Sequence, residues 1–517
     1  MPTPLLSSDI AFIDAPNFGL ADSLISDVRW AENTISFSFP DNDATWSPDP
    51  YTGYGPGQEP WSPLYKPLSL SNQTDFQESL AQWENVADIT FELIEETQDN
   101  VGDLRIAYTE IKELDNAEAW TYLPAYGIWG GDIWVNASSS TAKREWTPGN
   151  YSFLTILHEI GHALGLEHSF EDPNFPVEKD SMSQTIMSYS AIPGDQHSWF
   201  DFYPTTPMPL DIQAIQYVYG ANTNYHNGSD VYSYSDGETY HETIWDSNGN
   251  DTISYFGNQP AIINLQEGEG SFIGNTVNAI NANESIAVPN IWIAYDTVIE
   301  NANGGQNNDT LYGNSADNIL SGNEGDDILF GMSGNDTFKG GSGIDTAVLN
   351  GSKENFTLHK TEEGFLVSSK TGNEGNDKLV DIERIVFNDK GLALDIDGNA
   401  GSLAKLLGTV FGANSINNTE FVKIGLSLFD DGNTQEQLAS IALKAAGVNE
   451  SEEIVTIIWR NLFESEPTPE QIRPYIDQLD NKVLSGAELT LLAADSHFNT
   501  DNINLVGLYE TGITYNL

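Results

Sequence analysis

Residues 158–168 read HEIGHALGLEH, and the rest of the chain is best read outward from them. On a helix, side chains four apart share a face, so His158 and His162 present their imidazoles to one point. Glu159 sits beside the first of them and reaches the same space without being a ligand. Gly165 can adopt a positive φ and end the helix. The chain then turns back, and His168 supplies a third nitrogen. Three protein nitrogens around a zinc ion leave one position open for water, the catalytic pattern rather than the closed structural one. A bare HExxH arises by chance. Here three of only eight histidines fall in one eleven-residue stretch, which sets the long form apart. Some twenty residues on, SMSQTIMSYS (181–190) offers Met187 as an apolar floor beneath the metal and Tyr189 as a phenol beside it.

Around this motif, residues 26–220 mix strand and helix patterns. ISFSFP (35–40), ITFELIEE (89–96), LRIAYTE (104–110) and GDIWVN (131–136) predict strands. FQESLAQWENVA (76–87), YSFLTILHEIGHALG (151–165) and DIQAIQYVYG (211–220) predict helices, the last ending at Gly220. AEAWTYLP (117–124) predicts a further strand. These elements make an α+β domain.

From about residue 228 the composition shifts to Gly, Asn, Asp and β-formers, and a repeat emerges. Gly stands at 304, 313, 322, 331 and 340, with Asp309, Asn318, Asp327, Asp336 and Asp345 five residues later. Leu311, Leu320, Leu329, Phe338 and Ala347 follow two further on. This is the G-G-x-G-x-D-x-U-x pattern of a parallel β-roll, in which carboxylates and turn carbonyls enclose Ca²⁺. The second repeat moves its acid one place, to Asp317. Residues 355–389 are strand-rich. After residue 401 the texture changes to helical spacing, as in LAKLLGTVF, EQLASIALKAA and EEIVTIIWRNLF, which predicts a separate all-α domain.

Composition agrees. The chain has 517 residues and 77 Asp+Glu against 20 Lys+Arg, a formal charge of -57. Such a surface repels nucleic acid and anionic membranes, so neither is an expected partner. No cysteine is present, which excludes disulfides, thiolate zinc sites and a cysteine nucleophile. No apolar run is long enough to span a bilayer. No Lys or Arg precedes Arg29, so the charged start of a Sec signal is missing, and an export address is expected elsewhere. His197, His226, His241, His359 and His497 lack a ligand pattern and read as ordinary polar residues.

On HEIGHALGLEH, TIMSY, LDIQAIQYVYGAN (210–222), IWDSNGNDTI (244–253), IENANGG (299–305) and the nonapeptides, the chain resembles the serralysin family of metzincin metalloproteases over about residues 26–350. The resemblance implies a zinc endopeptidase joined to a calcium-binding RTX β-roll. It implies His158, His162 and His168 as zinc ligands and Glu159 as general base and acid. Tyr189 is then the phenol that stabilises the oxyanion. Substrate lies along the strand carrying Ala119, Trp120 and Tyr122. Calcium ligands are implied at Asp246, Asp251, Glu300, Gly305, Asp309, Asp317, Asp327, Asp336 and Asp345. The resemblance further implies protein or peptide substrates, export by type I secretion machinery, an extracellular location and a monomer.

Some features depart from the family. Ser169-Phe170 replace the usual Pro-Gly, and Val298 stands where a Thr calcium ligand is usual. The helical tail, clearest at 458–496, resembles a domain of unknown function attached to secreted repeat proteins. The expected fold is therefore multidomain. A leader or flexible N-terminus (1–25) is followed by an α+β metzincin protease domain (26–225). A calcium-binding parallel β-roll with flanking strands (226–395) and a C-terminal all-α domain (396–517) complete it. The rival reading is a calcium-dependent adhesion or matrix protein whose peptidase domain is degenerate.

Overall fold

Ser69 accepts a hydrogen bond from the Asn72 backbone N–H, and that cap starts a helix, Leu70–Val86, six residues earlier than the apolar spacing alone predicts. The structure is a computed structural model and describes residues 9–13, 19–49, 51, 53–110, 117–372 and 374–517. Residues 1–8 and 14–18 of the expected leader lie outside the described residues. The chain divides into two compact units, residues 1–257 with 263–299 and residues 258–262 with 300–517.

In the first unit, five strands form one sheet in the order Thr90–Leu93, Thr34–Ser38, Leu104–Thr109, Asp132–Asn136, Ala119–Thr121. The first four run parallel, and Ala119–Thr121 joins antiparallel as the outermost strand. Leu104–Thr109 and Asp132–Asn136 are buried along their whole length, which is why they read as near-continuous apolar runs. Helices Leu70–Val86 and Tyr151–Ala163 pack together, and the second also lies against the outermost strand. Helix Pro209–Tyr219 ends at Gly220, whose φ of 91° suits glycine.

The core of this unit gathers Trp30, Phe37, Phe76, Trp83, Ile133, Phe153, Leu157, Ile160 and Met187. Trp245, Val277 and Trp292 join the same cluster, so segments well beyond residue 225 are packed into it. Val277–Ile280 pairs with both Ser285–Val288 and Trp199–Phe200.

In the second unit the nonapeptides build two parallel stacks. One runs Asn301–Asn303, Ile319–Glu324, Thr337–Ser342, Asn376–Val380. The other runs Thr310–Tyr312, Ile328–Phe330, Thr346–Val348, Arg384–Val386. Leu311, Leu320, Leu329, Phe338 and Ala347 are fully buried, as the repeat pattern requires. An antiparallel hairpin, Phe356–Lys360 with Phe365–Ser369, extends the first stack. Gly391–Ala393 and the terminal strand Ile513–Tyr515 extend the second.

Helices occupy most of residues 399–511 and share a core of Leu403, Leu407, Val422, Leu426, Leu438 and Ile458. Thr434 and Ser485 open two of them with reciprocal capping boxes. The tail is not helical throughout, because its last strand adds to a repeat sheet. Arg384 ties the regions together by pairing with both Asp395 and Asp430. Among the described residues no helix is long and apolar enough to cross a membrane.

Candidate metal centre

Helix Tyr151–Ala163 carries His158, Glu159 and His162, all buried. It stops where Gly165 takes φ 102°. A Cβ there would stand 2.4 Å from the Val28 carbonyl oxygen, so the turn needs glycine on both counts. The chain then returns, and one nitrogen from each of His158, His162 and His168 lies within 4.8 Å of the others.

Each ring is held from its far side. His158 Nδ1 lies 2.7 Å from the Ile186 carbonyl, His162 Nδ1 lies 2.7 Å from the Leu166 carbonyl, and His168 Nδ1 lies 2.8 Å from Glu171 Oε1. Those oxygens only accept, so each Nδ1 must donate, and the proton is assigned there. Every Nε2 is then a bare lone pair facing the common point. His162 Nε2 and His168 Nε2 stand 3.1 Å apart with no proton left to share between them. Two lone pairs at that distance repel unless a cation lies between them, so the donor set fits zinc. Burial and the neighbouring imidazoles push His158 well below the usual histidine range, which keeps it neutral and able to ligate.

The second element is the turn at 185–187. Asp211 accepts hydrogen bonds from Thr185 Oγ1 (2.5 Å), the Ile186 N–H (2.8 Å) and the Met208 N–H (2.8 Å). The turn so pinned aims the Ile186 carbonyl at His158 and seats buried Met187 under the helix. The Met187 sulfur would be 2.8 Å from a Cβ on Gly161. Tyr189, half-exposed, places its hydroxyl 2.8 Å from His168 Nε2. Phe170 stacks on His168 with ring centres 4.8 Å apart, so the departure at Ser169-Phe170 supplies an aromatic wall.

Glu159 is buried, and burial lifts its carboxyl to about 7, against a lowering hydrogen bond from Thr121. The Thr121 hydroxyl donates to Oε2 at 2.7 Å. A cavity of about 420 Å³ opens at His158, Glu159 and Tyr189 and is walled by Ala119, Tyr151 and Trp199. Of the expected substrate strand, Ala119 lines this cleft and Thr121 reaches Glu159. Trp120 and Tyr122 point to the opposite face, where both donate to Glu59 Oε1, at 3.1 and 2.6 Å. Glu59 is buried, and no local pattern marks it in the sequence.

The expected calcium residues fall into separate places. In the first unit Asp246 and Asp251 are buried, and Tyr232 donates to Asp246 at 2.7 Å. His226 and Asp230 come together with Asp246 in a group able to hold a metal, a role that spacing did not suggest for His226. In the second unit Asp309, Asp327 and Asp345 form one buried row. Each of the last two accepts, through Oδ1, the backbone N–H of the acid 18 residues before it. Asp336 occupies a second row beside Asn318. Asn318, not Asp317, fills the acid position there, and exposed Asp317 accepts from the Asn335 N–H of the next turn in the same stack. Gly305 donates to Asp309, and Glu300 is half-buried at the start of the stack. Oδ2 of Asp327, Asp336 and Asp345 is buried without a hydrogen-bond partner among the described residues. Rows of bare, buried carboxylate oxygens fit a hard dication.

Comparison with known proteins agrees with this geometry. Residues 67–185 match the matrixin family, and residues 299–327 and 312–347 match the RTX calcium-binding nonapeptide repeat. The chain is 31% identical over 300 residues to a serralysin of Proteus mirabilis, covering 50% of this chain and 58% of that protein. It is 36% identical over 252 residues to serralysin A of Dickeya chrysanthemi, covering 45% and 51%. It is 30% identical over 273 residues to metallopeptidase AprA of Pseudomonas marginalis, covering 47% and 54%. The chain thus spans about half the length of the curated relatives it matches. It is serralysin-like in sequence, with a matrixin peptidase domain ahead of calcium-binding repeats, and its cofactors are a catalytic zinc and structural calcium.

Proposed function

We propose that this chain is a secreted zinc endopeptidase that hydrolyses peptide bonds in proteins. The observation that carries the reading is the convergence of three lone-pair Nε2 atoms next to a buried, hydroxyl-held carboxylate at the floor of a cleft. His158, His162 and His168 would hold the metal. Zinc there supplies Lewis acidity, polarising a carbonyl and making water a usable nucleophile near neutral pH.

Thr121 occupies Glu159 Oε2, so Oε1 is the atom that takes the proton from the attacking water. The same carboxyl then delivers it to the departing amine nitrogen. The Tyr189 phenol, exposed enough to move, donates to the oxygen of the scissile carbonyl as it gains charge. Among the described residues, strand Ala119–Thr121 pairs only with Asp132–Asn136, which leaves its outer edge for an extended peptide.

The proposal includes the layout. Residues 26–225 carry the zinc chemistry, 226–395 form a calcium-bound β-roll with flanking strands, and 396–517 form a helical domain. It also includes export through type I machinery and action as an extracellular monomer. A casein cleavage assay on the full chain, with and without a zinc chelator, tests the reading. Cleavage that the chelator abolishes and added zinc restores is expected. Glu159→Gln should keep its zinc and lose about 10²–10⁴-fold in kcat. Calcium-dependent binding to surfaces with no cleavage by the wild type would favour the adhesion reading instead.

A further inference from the structure

Residues 372–380 read GNEGNDKLV. Set beside GNEGDDILF (322–330) and GMSGNDTFK (331–339), they fit the same nine-residue pattern, with Gly372, Gly375, Asp377 and Leu379 at positions one, four, six and eight. The matched repeats stop at residue 347. The segment is out of phase because the hairpin Phe356–Lys360 with Phe365–Ser369 is inserted before it.

The fold restores the phase. Stacked partners elsewhere in the repeats are 18 residues apart, and here they are 41 apart. At position four, Gly375 has φ 73°, and a Cβ on it would stand 1.7 Å from the Gly334 carbonyl oxygen, as one on Gly343 would stand 1.9 Å from that of Gly325. At position five, the Asn376 N–H donates to Asn335 Oδ1 at 3.0 Å, as Asn335 donates to Asp317. At position six, the Asp336 N–H donates to Asp377 Oδ1 at 3.0 Å, as Asp327 donates to Asp345. At position eight, Leu379 pairs in register with Phe338 and is buried. Asn373 lies outside the described residues.

We propose that 372–377 is a displaced sixth turn of the repeat and that, with turn 331–336, it holds a Ca²⁺ ion between Asp336 and Asp377, closed by Glu374. Asp336 is 2% exposed, and its Oδ2 has no hydrogen-bond partner among the described residues, so an oxygen is already desolvated for a ligand. Asp377 is equally buried and Glu374 nearly so. Asp377 accepts the Asp336 N–H through Oδ1, so the two acids stand on adjoining turns of one row. Lys378, the one base in the segment, pairs with Glu363 instead. A dication with a preference for carboxylate and carbonyl oxygen answers that arrangement.

The inference rests on the calcium reading of the nonapeptides and not on the peptidase. The test titrates calcium-stripped full chain with Ca²⁺ alone, by calorimetry and by hydrogen exchange. Asp377→Asn is the variant, because Asn318 already shows that an amide fits a row: its Nδ2 donates to the Glu300 carbonyl at 2.9 Å. The expected result is one ion fewer per chain, or one site weakened at least tenfold. Calcium should protect the amides of 374–380 in the wild type, and in Asp377→Asn it should still protect 304–345. Wild-type stoichiometry and affinities in the variant would overturn the proposal. So would protection of 374–380 that ignores calcium in the wild type, a measurement that stands even if the variant misfolds. A wild type that binds no calcium at all would remove the calcium reading of the repeats as well.

Discussion

The Thr121 hydroxyl donates to Glu159 Oε2 across 2.7 Å, joining the outermost strand of the sheet to the helix that carries His158 and His162. The bond fixes which carboxyl oxygen is free and which way it faces. Thr121→Val removes the donor while keeping shape. A hydrogen bond to a charged group is worth about 1.5–3 kcal/mol, so kcat should fall about tenfold or more with KM held. Thr121→Ser should restore it. Steady-state kinetics on one peptide decide the matter, and equal kcat for Thr121→Val and wild type would refute the role.

Glu59 acts on the same strand from behind. Its Oε1 collects Trp120 Nε1 and Tyr122 OH, while its backbone carbonyl accepts from Thr109 Oγ1 at 2.6 Å. Glu59→Ala leaves two half-buried donors without this acceptor and frees the strand to shift. KM for long peptides should rise several-fold, and the advantage of long over short peptides should shrink, with zinc content unchanged. A uniform loss of kcat on long and short peptides alike would mark Glu59 as structural only.

Much of this was legible in the sequence because it is local. HEIGHALGLEH brings three histidines together through helix periodicity and one glycine, and the nonapeptides place their row of acids through a fixed period. What was not legible is carried by distant pairs. Asp211 serves the turn at 185–187 from 25 residues away, and Thr121 meets Glu159 from 38. Alternation along AWTY tells which residues share a face but not which face meets the cleft, so the partnership of Trp120 and Tyr122 with Glu59 has no local signal. The displaced turn escaped because a hairpin breaks the period while the stacking survives.

Calcium removal should act unevenly. Asp327, Asp336 and Asp345 each keep a buried bare oxygen, so without the ion their turns repel. Were residues 228–390 held by calcium alone, the whole segment would be largely unfolded without it. The shared core of Trp245, Val277 and Trp292 with the helices of the first unit narrows that prediction. On chelation, hydrogen exchange should show protection lost across 304–347 and largely kept across 277–293. Far-ultraviolet circular dichroism should fall in step. A signal indifferent to chelation would contradict both versions.

Asp132 should make the stability of the first unit depend on pH. It is 1% exposed, and its Oδ2 accepts from Tyr54 OH at 2.6 Å, while Oδ1 has no hydrogen-bond partner among the described residues. Burial pushes its carboxyl from 3.8 up to about 8, more than Arg105 and Tyr54 pull it down. An acid whose pKa is raised on folding binds its proton more tightly in the native state. Ionisation then favours the unfolded chain, so stability is lost as pH rises from about 4 to about 8, by at most about 1.4 kcal/mol per pH unit. Asp132→Asn keeps an acceptor for Tyr54 and removes the ionisation. Measured by denaturant unfolding in saturating calcium, the variant's stability relative to wild type should climb steadily through that window and level off above it. The slope is the readout, because any packing cost of the substitution is a constant offset. A difference that stays flat from pH 4 to 8 would mean that Asp132 is charged in the folded protein, held so by the Arg105 guanidinium.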